Sequence, residues 1–156
     1  MIEIAIPGFK QLRLEHLVLD YNGTLAVDGE LIPGAKSRLR ELEEKLRVHI
    51  VTADTFGKTA GAVSDLDCAL RILPAERQAE AKQAYVDQLG ADVTVCMGNG
   101  RNDRLMLQHA ALGIAVILAE GAHSATLSAA DVVCTSILEA LDLLQNPLRL
   151  TATLRS

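Results

Sequence analysis

The fold of this chain is decided by one stretch, His16-Leu17-Val18-Leu19-Asp20-Tyr21-Asn22-Gly23-Thr24-Leu25. A short, mostly apolar run leads directly into a carboxylate, which is typical of a buried parallel strand that ends at a binding edge. Gly23 allows a sharp turn, so that the following amides can face an anion. The alternative interpretation is that Asp20 only caps a turn. It is disfavoured because similar features follow later strands.

Working outward, apolar runs alternate with helical patterns along the rest of the chain. The predicted strands are residues 16–19, 48–51, 69–73, 93–97, 114–118 and 131–134, and residues 1–7 also alternate like a strand. The predicted helices are residues 34–46, 75–89, 101–111, 124–129 and 136–144. This alternation predicts an α/β fold with a central parallel sheet of about five or six strands, flanked by helices. The carboxyl ends of its strands share one edge, where ligands bind.

Length and composition restrict the classes of protein. A chain of 156 residues with 49% hydrophobic residues predicts one domain over residues 1–156. A net charge of −5 and only four aromatic residues argue against binding to nucleic acid. No apolar run reaches the ~18 residues of a membrane span, and the N-terminus lacks a basic signal region. We therefore expect a cytoplasmic protein without membrane insertion, whose cysteines Cys68, Cys96 and Cys134 are buried free thiols.

Two single residues lie where they could serve a ligand at the sheet edge. Thr52 ends a predicted strand, and its hydroxyl and the following amides could hold a phosphoryl oxygen. Lys82 lies within the predicted helix 75–89. It either points into solvent or reaches the edge, where its charge would offset that of a phosphate.

A glycine-rich turn, Gly98-Asn99-Gly100-Arg101-Asn102-Asp103, follows the predicted strand 93–97. Such a turn can bring oxygen ligands to a hard cation, or it can hold an anion on its amides. A simpler role for Asp103 is that of a carboxylate at the start of a helix.

These features, in this order, resemble the haloacid dehalogenase (HAD) superfamily. The opening Asp20-Tyr21-Asn22-Gly23-Thr24-Leu25 resembles its DxDGT(L/V) motif, and the turn Gly98–Asp103 resembles its fourth motif. Thr52 and Lys82 resemble the second and third motifs, placed by order and spacing. Within the superfamily, the first and fourth motifs are most similar to small soluble proteins related to the phosphorylation domain of P-type ATPases.

The resemblance implies phosphoryl transfer through an aspartyl phosphate on Asp20, with a small phosphorylated compound as the substrate. It implies Mg²⁺ as the cofactor, bound by Asp20, the backbone carbonyl of Asn22 and the fourth motif with Asn99 and Asp103, directly or through water. Thr52 and Lys82 would then hold the phosphoryl oxygens.

Two departures from the motifs affect this implied chemistry. Asn22 stands where phosphatases of the superfamily carry an aspartate that protonates the leaving group and then activates water. Losing that group costs about 10²–10⁴-fold in rate. Asn99 replaces an aspartate of many relatives, which predicts weak binding of magnesium. The alternative function is a non-catalytic phospholigand-binding or regulatory protein, and family analogy adds a soluble modulator of a transporter.

The spacing of the motifs leaves no room for a separate cap domain. Asp20 and Thr52 are 32 positions apart, and Thr52 and Lys82 are 30 apart. A hairpin at residues 24–32, turning at Asp28-Gly29, should overhang the cleft. Capless relatives such as the 3-deoxy-manno-octulosonate 8-phosphate phosphatases often close the site with a neighbouring subunit. We therefore expect a homo-oligomer, a dimer or a tetramer, in which this hairpin lies near a neighbour's cleft.

Overall fold

The computed structural model describes residues 1–54 and 56–156. The strands in these residues are β1 (Ile2–Ala5), β2 (Gln11–Leu14), β3 (His16–Leu19), β4 (Ala26–Val27), β5 (Glu30–Leu31), β6 (Arg47–Thr52), β7 (Cys68–Ile72), β8 (Thr94–Gly98), β9 (Leu112–Val116) and β10 (Val132–Cys134). The α-helices are α1 (Ala35–Glu43), α2 (Thr59–Ala62), α3 (Gln78–Leu89), α4 (Arg104–His109), α5 (Ser124–Ala129), α6 (Ile137–Gln145) and α7 (Pro147–Leu154). Short 3-10 helices cover Ala91–Val93 and Arg101–Asp103.

The central sheet has six parallel strands in the order β10-β9-β8-β3-β6-β7. This confirms the predicted fold class. Strand β3 lies between β6 and β8, and Leu19 is in register with Ile50 on one side and Met97 on the other. Asp20 therefore leaves the sheet between the ends of two neighbouring strands.

Both faces of the sheet are covered, so β3 is buried along its whole length. Leu17 and Leu19 pack on the side of α1 and α6, while Val18 faces the side of α3 and α4. A Cβ atom on Gly113 would overlap the backbone of Leu107. Helix α4 therefore lies directly against strand β9, and this close packing fixes the position of the loop that precedes α4.

Several element boundaries differ from the sequence prediction. Strand β2 forms an antiparallel hairpin with β1, in which Leu12 and Leu14 join the core. It was not predicted because its exposed Gln11 and Arg13 dilute the apolar signal. Helix α7 was also not predicted. It begins at Pro147, because proline is favoured in the first turn of a helix.

The predicted helix 101–111 is present in two parts, and the predicted hairpin 24–32 is present as well. The helix is divided into a 3-10 turn and α4, because the side chain of Asp103 binds amides of the preceding loop. The hairpin is present as β4 and β5. Its turn residues Asp28 and Gly29 both have positive φ, as a type I′ turn requires.

Two histidines that are far apart in the sequence, His16 and His49, meet inside the fold. Nδ1 of His16 lies 3.0 Å from Nε2 of His49, and Nδ1 of His49 lies 2.8 Å from the hydroxyl of Tyr85. Burial, followed by the charges on His16 and Arg47, lowers the pKa of His49 to about 4. The chain thus carries a row of polar rings between strands β3 and β6 and helix α3.

The cysteines are free, but only Cys96 is fully buried, whereas Cys68 and Cys134 are partly exposed. Among the described residues, no helix combines the length and apolar character needed to cross a membrane.

Candidate active site

Three charged side chains meet at the carboxyl edge of the sheet. Nζ of Lys82, on α3, lies 2.8 Å from Oδ1 of Asp20 and 2.6 Å from Oδ1 of Asp103. The Lys82 side chain is fully buried, and Asp20 is 7% exposed. The structure therefore brings together three residues that are up to 83 positions apart in the chain (103 minus 20).

Asp103 is held by the glycine-rich loop. Its Oδ2 atom accepts hydrogen bonds from the backbone N–H groups of Asn99, at 3.0 Å, and Gly100, at 2.9 Å. A Cβ atom on Gly98 would lie 2.5 Å from Cγ of Asp103, so the loop can wrap the carboxylate only with glycine at that position. Both oxygens of Asp103 are thus engaged, one with the loop and one with Lys82.

In this buried cluster, the charge of each group affects the pKa of its neighbours. Burial, with the charge of Asp103 second, raises the pKa of Asp20 to about 6, although Lys82 acts in the opposite direction. Burial lowers the pKa of Lys82, but the carboxylates of Asp20 and Asp103 outweigh it and hold this pKa above its usual value. Lys82 is therefore a permanent cation placed beside Asp20.

Two asparagines lie on the other side of Asp20. The hydroxyl of Thr24 is 3.4 Å from Oδ2 of Asp20 and 3.3 Å from Oδ1 of Asn99. Nδ2 of Asn99 donates to the carbonyl of Gly121 at 3.0 Å. Oδ1 of Asn22 is buried and has no hydrogen-bond partner among the residues that the structure describes. A buried acceptor of this kind is costly unless a ligand or water satisfies it.

Thr52 ends β6 at the same edge of the sheet and is buried. Its hydroxyl oxygen accepts a hydrogen bond from the backbone N–H of Asp54 at 3.0 Å. Asp54 in turn adopts a positive φ, and its carboxylate accepts from both the N–H and the hydroxyl of Thr59. These hydrogen bonds join Asp54 to both Thr52 and Thr59.

A cleft of about 210 Å³ opens over these residues. Its lining comprises Asp20, Asn22, Thr52, Ala53, Gln78, Asn99, Gly100, Asn102 and Glu120. Four of the six predicted site residues are in this lining. Of the other two, Lys82 contacts Asp20, and Asp103 contacts Lys82.

Sequence reasoning missed Gln78 and Glu120 among the lining residues, and it named Asn102 only as part of the turn 98–103, with no role of its own. Glu120 could have been found, because it precedes Gly121 just after the end of β9 and so repeats the signal of a carboxylate beyond a buried strand. The other two carry no such signal. They meet through a 2.6 Å hydrogen bond from Nδ2 of Asn102 to Oε1 of Gln78, which depends on how α3 docks.

The oxygen atoms around the cleft fit a hard divalent cation. Asp20, Asn22, Asn99 and Glu120 all line it and have side chains that contain oxygen, and the buried Oδ1 atom of Asn22 has no hydrogen-bond partner among the described residues. Among residues 1–54 and 56–156, no group of three His, Cys, Asp or Glu side chains is arranged to hold a metal. A cation here would therefore need amide, backbone or water oxygens besides carboxylates. Because Asp103 is buried and does not line the cleft, its contribution would be through water.

Comparison with known proteins gives two relatives and many similar folds. No family model matches the chain. The uncharacterised protein MJ0073 of Methanocaldococcus jannaschii is 52% identical over 61 residues, which are 39% of this chain and 66% of that protein. The uncharacterised protein MJ0072 of the same organism is 46% identical over 39 residues, which are 25% of this chain and 89% of that protein.

Solved structures are similar over most of the chain at low identity. The cobalt-bound deoxy-D-mannose-octulosonate 8-phosphate phosphatase of Haemophilus influenzae superposes with a TM-score of 0.71 and 16% identity, covering 92% of this chain and 94% of that one. The corresponding phosphatase of Moraxella catarrhalis, in complex with magnesium, phosphate and its sugar, gives 0.66 and 17%, covering 90% and 92%. Proteins assigned to the HAD family in Streptomyces avermitilis and Legionella pneumophila have the same fold. The chain thus belongs to one family with MJ0072, and its fold is that of the HAD superfamily.

Proposed function

We propose that this protein is a metal-dependent phosphohydrolase or phosphotransferase of the HAD type that acts on a small phosphorylated compound. The observation that carries the proposal is the buried ion-paired set in which Lys82 contacts Asp20 and Asp103. Burying a lysine between two carboxylates at a sheet edge costs desolvation free energy, which lowers the stability of the fold. It becomes useful when one carboxylate must attack a phosphoryl group whose charge needs to be offset.

In this proposal Asp20 is the nucleophile. One of its carboxylate oxygens attacks phosphorus, the bond from phosphorus to the leaving oxygen breaks, and the leaving group keeps the electron pair. Water then attacks the aspartyl phosphate, which releases inorganic phosphate and restores the carboxylate of Asp20. Lys82 offsets charge beside Asp20, Asp103 positions Lys82, and Thr52 lies at the cleft wall where a phosphoryl oxygen would approach.

Magnesium fits the oxygen atoms of the cleft. The groups that would hold it are the side chains of Asp20, Asn99 and Glu120 and the backbone carbonyl of Asn22, and Asp103 would contribute through water. When bound, the ion would supply charge stabilisation for the phosphoryl oxygens. Glu120 would compensate for the charge that Asn22 and Asn99 do not provide. That phosphatases of the same fold carry cobalt or magnesium supports a divalent cation.

Turnover should be slow because Asn22 cannot donate or accept a proton. Leaving groups that depart without a proton, such as those of acyl phosphates and phosphoanhydrides, should then react faster than alkyl phosphates. Decay of the aspartyl phosphate becomes the slow step, since no carboxylate at position 22 activates water.

The test is a panel of p-nitrophenyl phosphate, acetyl phosphate and alkyl phosphates with magnesium, comparing the native protein with Asp20→Asn. The matched control is Asp92→Asn, because Asp92 is exposed in the 3-10 helix before β8, at the opposite end of that strand. We expect loss of phosphate release only in Asp20→Asn. Equal release by both variants would remove Asp20 from the chemistry.

A second candidate function is phospholigand binding without turnover, favoured by the two asparagines at positions 22 and 99. In that case phosphate analogues bind to the cleft, but no phosphoenzyme is recovered from Asp20 with any member of the panel.

A further inference from the structure

Beside the cleft lies a larger groove that the proposed chemistry does not use. It has a volume of about 580 Å³, and Arg77, Arg101 and Arg104 are among its lining residues. Gln78 and Asn102 line both the groove and the cleft, and the hydrogen bond between them forms the shared wall. The groove therefore adjoins the place where a phosphoryl group would bind, across this one pair of side chains.

The groove carries an excess of positive charge. Its lining includes three arginines but only one carboxylate, that of Glu80. Within the part of the chain that the structure describes, none of the three arginines forms a salt bridge. In a chain with a net charge of −5, three unpaired cations around one groove are a local reversal of sign.

Arg77 is also held in a strained backbone conformation. Its φ of 53° and ψ of 41° are left-handed, and it occupies the position just before α3. Glycine or asparagine would adopt this conformation at lower cost. The conformation therefore indicates that something other than backbone preference keeps arginine at position 77.

We propose that this groove binds a second anionic group of the substrate, so that the preferred substrates carry a phosphate or carboxylate some distance from the phosphoryl group that is transferred. This inference rests on the proposed function for the placement of the first phosphoryl group. Arginine binds either anion through paired, charge-assisted hydrogen bonds. The volume of the groove, more than twice that of the cleft, suits a substrate of sugar size rather than an isolated ion.

The experiment measures binding by calorimetric titration in EDTA, so that turnover does not consume the ligand. The ligands are glucose 6-phosphate, glucose 1,6-bisphosphate and 6-phosphogluconate, which share a six-carbon skeleton and differ in the second anion. We expect at least one doubly anionic ligand to bind about tenfold more tightly than glucose 6-phosphate. A preference for the bisphosphate alone identifies a phosphate group as the second anion, and a preference for the gluconate alone identifies a carboxylate.

The variants are Arg77→Asn and Arg104→Gln, singly and together, with Arg149→Gln as the control. Arg149 is exposed on α7, which packs against α6 and β1. Arg77→Asn should lower the affinity for doubly anionic ligands while it preserves or raises the melting temperature, because asparagine tolerates the left-handed conformation. A merely structural role for Arg77 would give the opposite pattern.

The inference is overturned if all three ligands bind the native protein equally, or if the preference survives in the double variant. A separate measurement isolates the proposed function. If p-nitrophenyl phosphate with magnesium is hydrolysed but no preference exists, only the groove is refuted. If the preference exists without any hydrolysis, only the phosphohydrolase proposal fails.

Discussion

A Cβ atom on Gly23 would lie 2.5 Å from Oε2 of Glu120. The carboxylate of Glu120 thus occupies space that a side chain at residue 23 would need. Gly23 also has a φ of 80°, which other residues adopt with strain. The glycine of the first motif therefore serves two purposes here, since it turns the chain and admits a carboxylate from the loop after β9.

The first prediction concerns magnesium. Replacing Glu120 by Gln should weaken magnesium binding about three- to tenfold, because an anion near the cleft is lost while the size of the side chain is kept. Calorimetric titration with beryllium fluoride present checks this, with Glu44→Gln, an exposed residue just after α1, as the control. In the native protein, binding should be weaker without the fluoride. Unchanged affinity in Glu120→Gln would place Glu120 outside the metal site.

The second prediction concerns Asn22. Asn22→Asp should speed decay of the aspartyl phosphate by about 10–10³-fold, because a carboxylate can accept the proton of the attacking water. Part of the gain will be lost to repulsion from Asp20 unless magnesium is bound. Rapid-quench measurement of phosphoenzyme decay is the readout, and Asn146→Asp before α7 is the matched control. Equal decay in native protein and Asn22→Asp means that residue 22 does not face the attacking water.

The third prediction concerns the buried lysine. Lys82→Met should reduce the free energy of unfolding by about 3–5 kcal/mol, because Asp20 and Asp103 lose the cation between them. Adding Asp20→Asn to Lys82→Met should restore part of the loss. Urea unfolding at pH 7.5 measures both effects, and Lys45→Met, at an exposed residue, should change little. A double variant no more stable than Lys82→Met would show that repulsion between the carboxylates is not the cause.

The fourth prediction concerns acid stability. Because the folded protein holds the pKa of His49 at about 4 and the unfolded chain has the ordinary value of 6.5, the unfolded chain binds more protons between these values. The contribution of His49 to the free energy of unfolding should therefore decrease as pH falls from about 6.5 to 4, by up to about 3 kcal/mol, while Asp20, with its raised pKa, contributes with the opposite sign. Urea unfolding of His49→Gln should show a shallower decrease over that window. His123→Gln, at an exposed histidine, should leave the slope unchanged.

The fifth prediction concerns assembly. Gly29 of the β4–β5 hairpin lies against the phenyl group of Phe56, which is 46% exposed, and Lys58 pairs with Glu30 at 2.7 Å. If this hairpin covers a neighbour's cleft, light scattering should detect a dimer or tetramer, and Phe56→Ser should weaken it about tenfold. Leu148→Ser, at a side chain that is 84% exposed on α7, is the control. A monomer at every concentration contradicts the prediction.

The sequence was sufficient to predict the sheet, because β3, β6, β8 and β9 are continuous apolar runs and buried strands leave that signal. It was not sufficient for β2, whose alternate residues are exposed. Nor did it indicate that the rings of His16 and His49 meet, since their contact arises from the pairing of β3 with β6.

The candidate site, too, could be predicted from the sequence only in part. Asp20, Thr52 and the loop 98–103 could be placed because each follows a strand, whereas the position of Lys82 left two orientations open. Only the docking of α3 on α4 directs its side chain inward to Asp20 and Asp103. The contact between Gln78 and Asn102 likewise depends on that docking, and no local sequence pattern indicates it.

Because the backbone at Arg77 is left-handed, the residue found at this position in related proteins should depend on whether ligand binding is under selection. If selection acted on folding alone, Arg77 should be replaced by asparagine or glycine, since either residue relieves the strain of the left-handed backbone and leaves the core unchanged. Lineages that keep arginine there would be those in which a negatively charged ligand still matters to the cell. The identity of this one residue in descendants of a common ancestor would therefore separate proteins that retain the ligand from proteins that retain only the fold.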